Sequence, residues 1–377
     1  MILKNIKLKN YRNYENLDLE LSPNINIIYG NNAQGKTNLL ESIYVLAFTR
    51  SHRIFANDNL IMNQKNNCSI IGIVDDKGID NNLKVNLLEN QKKIYIDNQI
   101  VKKVSDYISK MNVIIFFPED LYIIKGNPKE RRKFLDNEIM QFVNGYYELL
   151  NDYNKILKIR NDYLKKINIG EKINEQYFNI ISNYLVKKGT LIFKIRYKFL
   201  NQINIYISKI FYNIMRLKNF YIQYDSCINL SSLDENIENI FFEKLKQNYA
   251  NDIKNGSTSI GPHRDDYTFY IENKNIKEYG SQGQQRIAII AFKLAELLLF
   301  QNKKKINPIL LLDDVFSELD DNKKNNLLKY INNNTQVIIT TTDLNKIDKK
   351  ILKNSRKIKI SKGKVMSIRE ERKNGTK

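Results

Sequence analysis

Cysteine and histidine are nearly absent from this sequence, which has two residues of each among 377. Cys68 and Cys227 are too few for a disulfide framework. The two cysteines are also not spaced with His52 and His263 in the pattern of zinc ligands, and no Cys–His nucleophile pair is visible. This usage fits a chain that works in the reducing cytoplasm.

Long apolar segments are missing as well. The N-terminal residues contain no apolar core of the kind found in signal peptides. The most apolar segment, residues 288–300, carries Lys293 and Glu296 and is too short to cross a bilayer. We therefore expect no membrane partner.

Positive charge is abundant, with 61 lysines and arginines against 41 acidic residues and a formal net charge of +20. Such a charge concerns partners and solubility rather than fold, and nucleic acid is the leading specific partner. The alternative is a solvated lysine surface, which is plausible because Asn, Lys and Ile are heavily used throughout the chain, as in AT-rich genomes.

The hydrophobic pattern predicts an α/β unit interrupted by helices. Leu17, Leu19 and Leu21 alternate with polar residues, as in a half-buried strand. Further strands are predicted at residues 25–29, 69–74, 83–88, 93–101 (with a hairpin turn at 97–99), 309–312 and 336–339, and helices at 38–48 and 283–300.

The middle of the chain has a different pattern. Apolar residues recur at steps of three and four from Leu135 to Ile156, which is heptad-like, although simple helix packing is the interpretation we favour. A turn at Asn168–Gly170 precedes a second helical stretch over about 173–216. The domains expected are an ATPase lobe in two parts with a helical lobe between them, at residues 1–124, 125–252 and 253–377.

A phosphate-binding loop is predicted between the strand at 25–29 and the helix at 38–48. The segment matches G-x-x-x-x-G-K-[ST], and this strand–loop–helix context argues against a chance match. Glycines allow close backbone approach, and successive amides with the helix N-terminus hold phosphate oxygens. The lysine supplies charge to the β- and γ-phosphates, and the threonine supplies a hydroxyl to Mg²⁺. The predicted nucleotide-binding residues are Gly30, Asn31, Asn32, Ala33, Gln34, Gly35, Lys36 and Thr37.

Two carboxylates follow the apolar strand at 309–312. In P-loop ATPases the first acid, here Asp313, orients Mg²⁺, and the second, here Asp314, accepts a proton from the attacking water. The alternative is a pair of acids in an ordinary turn. Because Asp314 stands where glutamate is more usual and is one methylene shorter, slow turnover is expected.

A glycine-containing turn opens the helix predicted at 283–300. Its sequence at residues 280–286 resembles the signature of ATP-binding-cassette ATPases, with Gln282 in place of the first glycine. In that class the signature contacts the γ-phosphate held by a second subunit, so two chains would complete two shared sites as a two-fold dimer. Ser317–Asp320 occupies the place of the dimer-crossing loop of that class. The alternative is a capping box between Ser281 and Gln284, and both interpretations can hold together.

Six blocks together resemble the RecF family, the bacterial recombination-mediator ATPases. They fall in order along nearly the whole chain, at residues 10–44, 49–53, 116–136, 261–266, 281–286 and 311–320. The resemblance implies a P-loop head like that of structural-maintenance-of-chromosomes (SMC) ATPases, without the long coiled coil. It also implies weak DNA-stimulated ATP hydrolysis, an ATP-dependent homodimer, and action with RecO and RecR in loading RecA at gapped or single-stranded DNA.

The resemblance carries specific roles onto this chain. The loop from Gly30 to Thr37 would hold ATP, Thr37 and Asp313 would hold Mg²⁺, and Lys36 and Asp314 would serve hydrolysis. The switch histidine of the wider cassette ATPases has no counterpart here, so Thr341 or Asp343 is expected to sense the γ-phosphate. Three residues are expected to act across the dimer, namely Ser281, Gly283 and Gln284.

Other polar residues of the blocks have two interpretations each. His263 is either a catalyst or, as we favour, a hydrogen-bonded structural residue. Arg50 and Arg53 either link nucleotide to DNA or form surface ion pairs, and Arg131–Lys133 is either a phosphate-contacting patch or part of the fold.

Two further functions compete with DNA repair. One is an ATPase subunit of a membrane transporter, which the charge and the RecF-like blocks disfavour. The other is a nucleotide-gated scaffold in which hydrolysis only resets DNA binding.

Overall fold

The computed structural model describes residues 1–52, 60–89, 91–228, 236–315, 323–324, 329–330 and 334–370. Its strands are β1 (Ile2–Tyr11), β2 (Tyr14–Glu20), β3 (Ile25–Tyr29), β4 (Asn67–Asp76), β5 (Ile79–Leu88), β6 (Gln91–Ile96), β7 (Gln99–Ile100), β8 (Val113–Phe116), β9 (Phe220–Asp225), β10 (Asp266–Ile271), β11 (Lys274–Asn275), β12 (Ile309–Asp313), β13 (Val337–Thr341), β14 (Ser355–Ser361) and β15 (Lys364–Glu370).

Its helices are α1 (Lys36–Phe48), α2 (Val104–Ile108), α3 (Tyr122–Lys125), α4 (Pro128–Phe142), α5 (Tyr146–Asn168), α6 (Glu175–Met215), α7 (Ile237–Gln247), α8 (Tyr249–Asn255), α9 (Ile276–Tyr279), α10 (Gln282–Leu299) and α11 (Lys349–Lys353). The chain divides into unit 1, which comprises Met1–Asp120 and Ile290–Lys377, and unit 2, Leu121–Ile289.

Unit 1 contains a mainly parallel sheet of strand order β15-β14-β3-β13-β12-β8. Only the β14–β15 pair is antiparallel. The central strands β12 and β13 are buried at every position, which is the pattern of strands covered on both faces. The strands predicted at 25–29, 309–312 and 336–339 are therefore confirmed, and they place the ends of β3, β12 and β13 side by side.

A second sheet of unit 1 is antiparallel, with order β2-β1-β4-β5-β6-β7. Leu17 and Leu19 face its buried side, as their alternation predicted. Asp97 and Asn98 form the predicted hairpin turn with positive φ angles, a backbone conformation that Asn and Asp tolerate well.

Helix α1 packs against strands of both sheets. Every residue from Leu39 to Phe48 is buried, so this helix has no solvent face and forms the centre of the core. Burying the helix on all sides fixes its first turn, and with it the loop that precedes Lys36.

Unit 2 is built on the long helix α6. Lys188 pairs with Asp152, and Arg160 bonds to Ser182. Later residues of α5 therefore contact earlier residues of α6, so the two helices are antiparallel. The heptad-like stripe is divided between α4 and α5, because Gly145 has φ 79° and starts a new helix. Simple helix packing therefore explains the stripe.

The boundaries of unit 2 differ from those expected. Residues 253–289, which were placed with the C-terminal ATPase part, belong to the helical unit. The physical reason is strand pairing, since β10 pairs with β9 from Asp266↔Asp225 to Ile271↔Phe220. Two of the RecF-like blocks, at 261–266 and the start of α10, therefore fold with unit 2.

Candidate nucleotide site

The predicted phosphate loop connects β3 to α1 in unit 1. Gly35 caps the helix in a left-handed conformation, with φ 110°. Gly30 has φ 153°, and a Cβ atom there would lie 2.3 Å from the backbone oxygen of Ile360 in β14. The sequence predicted both glycines from the motif, and the structure shows that the fold itself requires the first.

Gln34 anchors the loop to distant parts of the chain. Its side-chain oxygen accepts hydrogen bonds from the Ser361 hydroxyl (3.2 Å) and the Lys362 amide (2.8 Å). Its backbone oxygen accepts from Gly363 (3.0 Å) and from the side chain of Asn13 (3.2 Å). Sequence analysis missed these supports, because neither Asn13 nor residues 361–363, which are more than 300 positions away, show a local pattern that links them to the loop.

Lys36 points back into the loop. Its ammonium group donates to the backbone oxygens of Gly30 (2.9 Å) and Asn31 (2.8 Å). Burial lowers the pKa of Lys36, while the nearby carboxylates of Asp314 and Asp313 oppose this change. One cation and two carboxylates thus meet at the phosphate loop, where an anionic ligand and a metal can be held together.

Thr37 and Asp313 form the second half of the site. The Thr37 hydroxyl donates to the Asp313 carboxylate (3.1 Å), and the Thr340 hydroxyl donates to the same oxygen (2.5 Å). Asp313 and Thr340 are paired in register across β12 and β13, which explains their contact. The amide of Asp314, a residue with φ 51°, donates to the Thr340 hydroxyl (3.1 Å).

Sequence analysis missed Thr340 and expected two residues close to it, Thr341 or Asp343, to sense the γ-phosphate. Thr341 and Asp343 bond to each other locally: the Thr341 hydroxyl donates to the Asp343 backbone oxygen (2.9 Å), and the Asp343 amide donates to the Thr341 hydroxyl (3.2 Å). Their sensing of a γ-phosphate stays a prediction.

The oxygen ligands at this site fit a magnesium ion shared with phosphate. In the described part of the chain, no group of three or more His, Cys, Asp or Glu side chains is placed to hold a metal. Thr37 and Asp313 provide two hard oxygen ligands, and Mg²⁺ is typically bound by few protein groups with phosphates and waters completing its shell.

The signature turn lies in unit 2 at the start of α10. Ser281 and Gln284 form the capping box: the Ser281 amide donates to the Gln284 side chain (2.8 Å), and the Gln284 amide donates to the Ser281 hydroxyl (3.2 Å). Gly283 is exposed, and the nearest atom to a Cβ there would be the Ser281 hydroxyl at 3.9 Å. The chain itself therefore does not require glycine at position 283.

His263 is a structural residue. Its Nε2 lies 3.0 Å from the Thr258 backbone oxygen, which can only accept, so Nδ1 accepts from the Tyr153 hydroxyl at 2.7 Å. Burial lowers its pKa to about 4. This neutral histidine orders the 258–263 turn, in agreement with the interpretation we favoured.

Arg131 also belongs to the fold rather than to a phosphate-contacting patch. It is buried in α4 and binds Asp266 of β10 through both carboxylate oxygens. Arg132 donates to the Asp265 backbone oxygen (2.7 Å). Burial lowers the pKa of Lys92, and the positive charge of Arg50 lowers it further. Arg53 and the loop Ser317–Asp320 lie outside the described residues.

Comparison with known proteins now identifies the family. The model described as "RecF/RecN/SMC N terminal domain" matches residues 2–366. A protein from Bacillus cereus (strain AH820), named DNA replication and repair protein RecF, is 39% identical over 97% of this chain and 98% of its own. This chain belongs to the RecF family. A protein of the same name from Bacillus anthracis (strain CDC 684 / NRRL 3495) shows the same identity and coverage.

Solved structures confirm the fold. A RecF structure described as "recombination mediator protein RecF-ATP in RecFOR pathway" has a TM-score of 0.90 at 33% identity, covering 98% of this chain and 97% of that one. An Smc head bound to the C-winged helix domain of ScpA, at 13% identity and TM-score 0.54, covers 97% of this chain and 96% of that one. The expected P-loop head of SMC type, with a helical lobe inserted in an α/β unit, is therefore correct.

Among the described residues of this RecF-family chain, no helix combines the length and apolarity that a membrane crossing demands.

Proposed function

We propose that this chain is an ATP-dependent DNA-binding protein of recombinational repair and replication restart, acting in the cytoplasm. It binds gapped duplex or single-stranded DNA and promotes RecA loading together with RecO and RecR. The observation that carries the proposal is the convergence of Lys36, Thr37, Asp313 and Asp314 at one end of the unit 1 sheet, in a RecF-family chain with a net charge of +20.

ATP is held by the loop from Gly30 to Thr37. A bound phosphate would compete with the Gly30 and Asn31 carbonyls for the Lys36 ammonium, which already faces the loop. Thr37 and Asp313 would hold Mg²⁺, which neutralises charge on the phosphate oxygens when bound. Thr340 keeps the Asp313 carboxylate oriented for this role.

Hydrolysis is slow and depends on Asp314. Its carboxylate acts on the Lys36 ammonium through space, so it lies at the phosphate end of the site. It accepts the proton of the attacking water, and its short side chain holds that water less firmly than a glutamate would. The expected activity is a weak ATPase stimulated by DNA.

The site is completed by a second copy of the chain. Ser281, Gly283 and Gln284 of one protomer close over the γ-phosphate held by its partner. Gly283 is the second residue of α10, and no atom of the chain lies close enough to exclude a side chain there. Close approach of a ligand or partner explains the glycine.

DNA binding follows from the positive charge of the chain. Lysines and arginines that neutralise phosphates release counterions, so the DNA affinity should fall steeply as salt rises. DNA binding that is insensitive to salt would contradict this part of the proposal.

Light scattering and DNA binding, each with and without ATP, test the proposal on the wild type and on Lys36→Arg. We expect ATP to convert the wild-type monomer into a dimer with higher DNA affinity, whereas the variant stays monomeric. Lys9→Arg, on the exposed face of β1, is the matched control and should behave as the wild type. Dimers that are indifferent to ATP would refute the shared site.

The alternative is a nucleotide-gated clamp or scaffold in which hydrolysis only resets binding. The aspartate at position 314 favours it, because slow hydrolysis suits a long-lived clamp better than a cycling motor. Loading of the recombinase by Asp314→Asn at the wild-type level would establish this alternative, and a failure to load would exclude it.

A further inference from the structure

The long helix α6 carries an apolar stripe that its own unit leaves exposed. Starting at Tyr177, apolar side chains recur every seven residues, interrupted only by Lys198. They are between 39% and 68% exposed. The α6 stripe consists of Tyr177, Tyr184, Leu191, Ile205 and Tyr212, and Ile180 lies beside it.

This stripe lies on the side of α6 that faces away from the unit 2 core. Other residues of α6 form the side that packs into the core. They include Leu185, Ile192, Phe199 and Ile203, which are all buried. A single exposed apolar residue is ordinary on a protein surface, whereas a contiguous row indicates an interaction site.

The spacing of the stripe points to a helical partner. An α-helix has 3.6 residues per turn, so a strict seven-residue repeat drifts by about 20° per heptad and winds slowly around the helix. A second helix follows such a row by supercoiling, as in coiled coils. At 1.5 Å per residue the row extends for about 50 Å, which is enough for several turns of a docked helix.

The charges beside the stripe define the chemistry of that partner. Lys187, Lys194, Lys198 and Lys209 accompany it, and the sole acidic residue of α6 is Glu175 at its first position. In the described part of the chain, no carboxylate pairs with these four lysines. A second copy of α6 would bring the same positive charge against them, and like charges along a helix pair are destabilising.

Nucleic acid fits the lysines and the three tyrosines of the row, but it does not fit the two aliphatic members between them. Leu191 and Ile205 offer neither hydrogen bonds nor an aromatic face on which a base could stack. Their desolvation requires apolar side chains at the same spacing, which an amphipathic helix supplies.

From the heptad spacing, the exposure and the one-sided charge, we propose that the α6 stripe is a docking site for an acidic amphipathic helix of another protein. Apolar residues of that helix pack along the stripe, and its flanking glutamates or aspartates pair with the lysines. This site is independent of the nucleotide site, and binding at it needs no ATP.

The probe is a fluorescein-labelled four-heptad peptide with leucine at positions a and d and glutamate at e and g. Fluorescence anisotropy measures its binding to the full chain without nucleotide, so the result does not depend on the proposed ATP-driven dimer. We expect saturable binding with one peptide per chain. The same peptide with lysine in place of glutamate should not bind.

Ile205→Asp is the test variant, and Ile79→Asp is its matched control. Ile205 and Ile79 are 68% and 69% exposed, so neither change disturbs the core and both add the same negative charge. Ile205→Asp should weaken peptide binding by at least about tenfold, the loss seen when a central apolar contact is removed. Ile79→Asp should change it by less than about twofold, and circular dichroism should show that both variants are folded.

Three outcomes would overturn the proposal. Equal peptide affinity for wild type and Ile205→Asp would show that the stripe is not the docking surface. Nucleotide-free dimers of the wild type that Ile205→Asp dissociates would identify a second copy as the occupant. A larger loss of affinity for a single-stranded oligonucleotide in Ile205→Asp than in Ile79→Asp would make the stripe a nucleic-acid surface.

Discussion

Replacing Gly30 by alanine tests whether the fold, as well as the nucleotide, requires glycine at the start of the phosphate loop. The added Cβ would lie 2.3 Å from the backbone oxygen of Ile360. Ile360 belongs to β14, which is paired in register with β3 immediately before the loop. Relief of the contact therefore requires movement of a strand backbone rather than of a flexible side chain.

Two costs add in Gly30→Ala. A left-handed backbone angle in a residue with a side chain costs about 1–3 kcal/mol. Overpacking against a rigid neighbour costs about 1–3 kcal/mol more. Together they lower the free energy of unfolding of unit 1 by about 2–6 kcal/mol, or its melting temperature by roughly 5–20 °C for a unit of this size.

Gly78→Ala is the matched control in the same unit. Gly78 also has a positive φ angle, of 87°, but nothing lies within 4 Å of the position its Cβ would take. It should lose only about 1–2 kcal/mol, the cost of the backbone angle alone. The difference between the two variants isolates the contact with β14.

Thermal unfolding with and without Mg-ATP is the measurement. A ligand at one hundred times its Kd stabilises the folded state by about 2.7 kcal/mol. Wild type and Gly78→Ala should show this ATP-dependent gain, whereas Gly30→Ala should lose most of it because its loop is displaced. If Gly30→Ala has the same melting temperature as Gly78→Ala and keeps the ATP-dependent stabilisation, the steric argument is refuted.

Three further predictions follow from the site and from unit 2. Asp314→Asn should slow phosphate release by about 10²–10⁴ because the proton acceptor is lost, and hydrolysis at the wild-type rate would show that the role is misassigned. Thr340→Val should weaken Mg²⁺ affinity in a nucleotide-binding titration by about 10–100-fold, since Asp313 loses its orienting hydrogen bond; an unchanged metal affinity would mean that β13 does not orient it. Burial lowers the pKa of His263 to about 4 from 6.5, so the unfolded chain binds protons more readily than the folded one. As pH falls from 6.5 to 4, the free energy of unfolding of the wild type should therefore fall by on the order of 2 kcal/mol relative to that of His263→Gln. Burial raises the pKa of Asp265 to about 6, which makes both proteins more stable as pH falls. This effect cancels in the difference between the free energies of unfolding of the two proteins, measured with urea. A difference that does not change with pH would contradict the burial argument.

Sequence patterns predicted most of unit 1 because its signals are local. The apolar run before Gly30 and the glycines of the loop are contiguous in the chain, and so are Asp313 and Asp314 with the strand that precedes them. Their partners could not be predicted in the same way. Thr340 reaches Asp313 only because β13 pairs with β12 in register.

Unit 2 shows the limits of local patterns more plainly. A heptad-like stripe is produced either by one continuous helix or by two helices in succession. The left-handed Gly145 separates α4 from α5, so the stripe belongs to two helices. Arg131 has the same local sequence whether it faces solvent or a carboxylate. Its pairing with Asp266, which is 135 positions away, assigns it to the interior.

The sequence by itself determined that this chain has a phosphate loop, an acidic strand end and a signature turn, since each is a short run whose chemistry depends on neighbours in the chain. Only the tertiary structure decided that the β14–β15 turn holds Gln34 and that Thr340 holds Asp313. It also decided that α6 leaves an apolar row exposed. These features depend on pairings between distant segments, and burial or exposure is settled only when those segments pack.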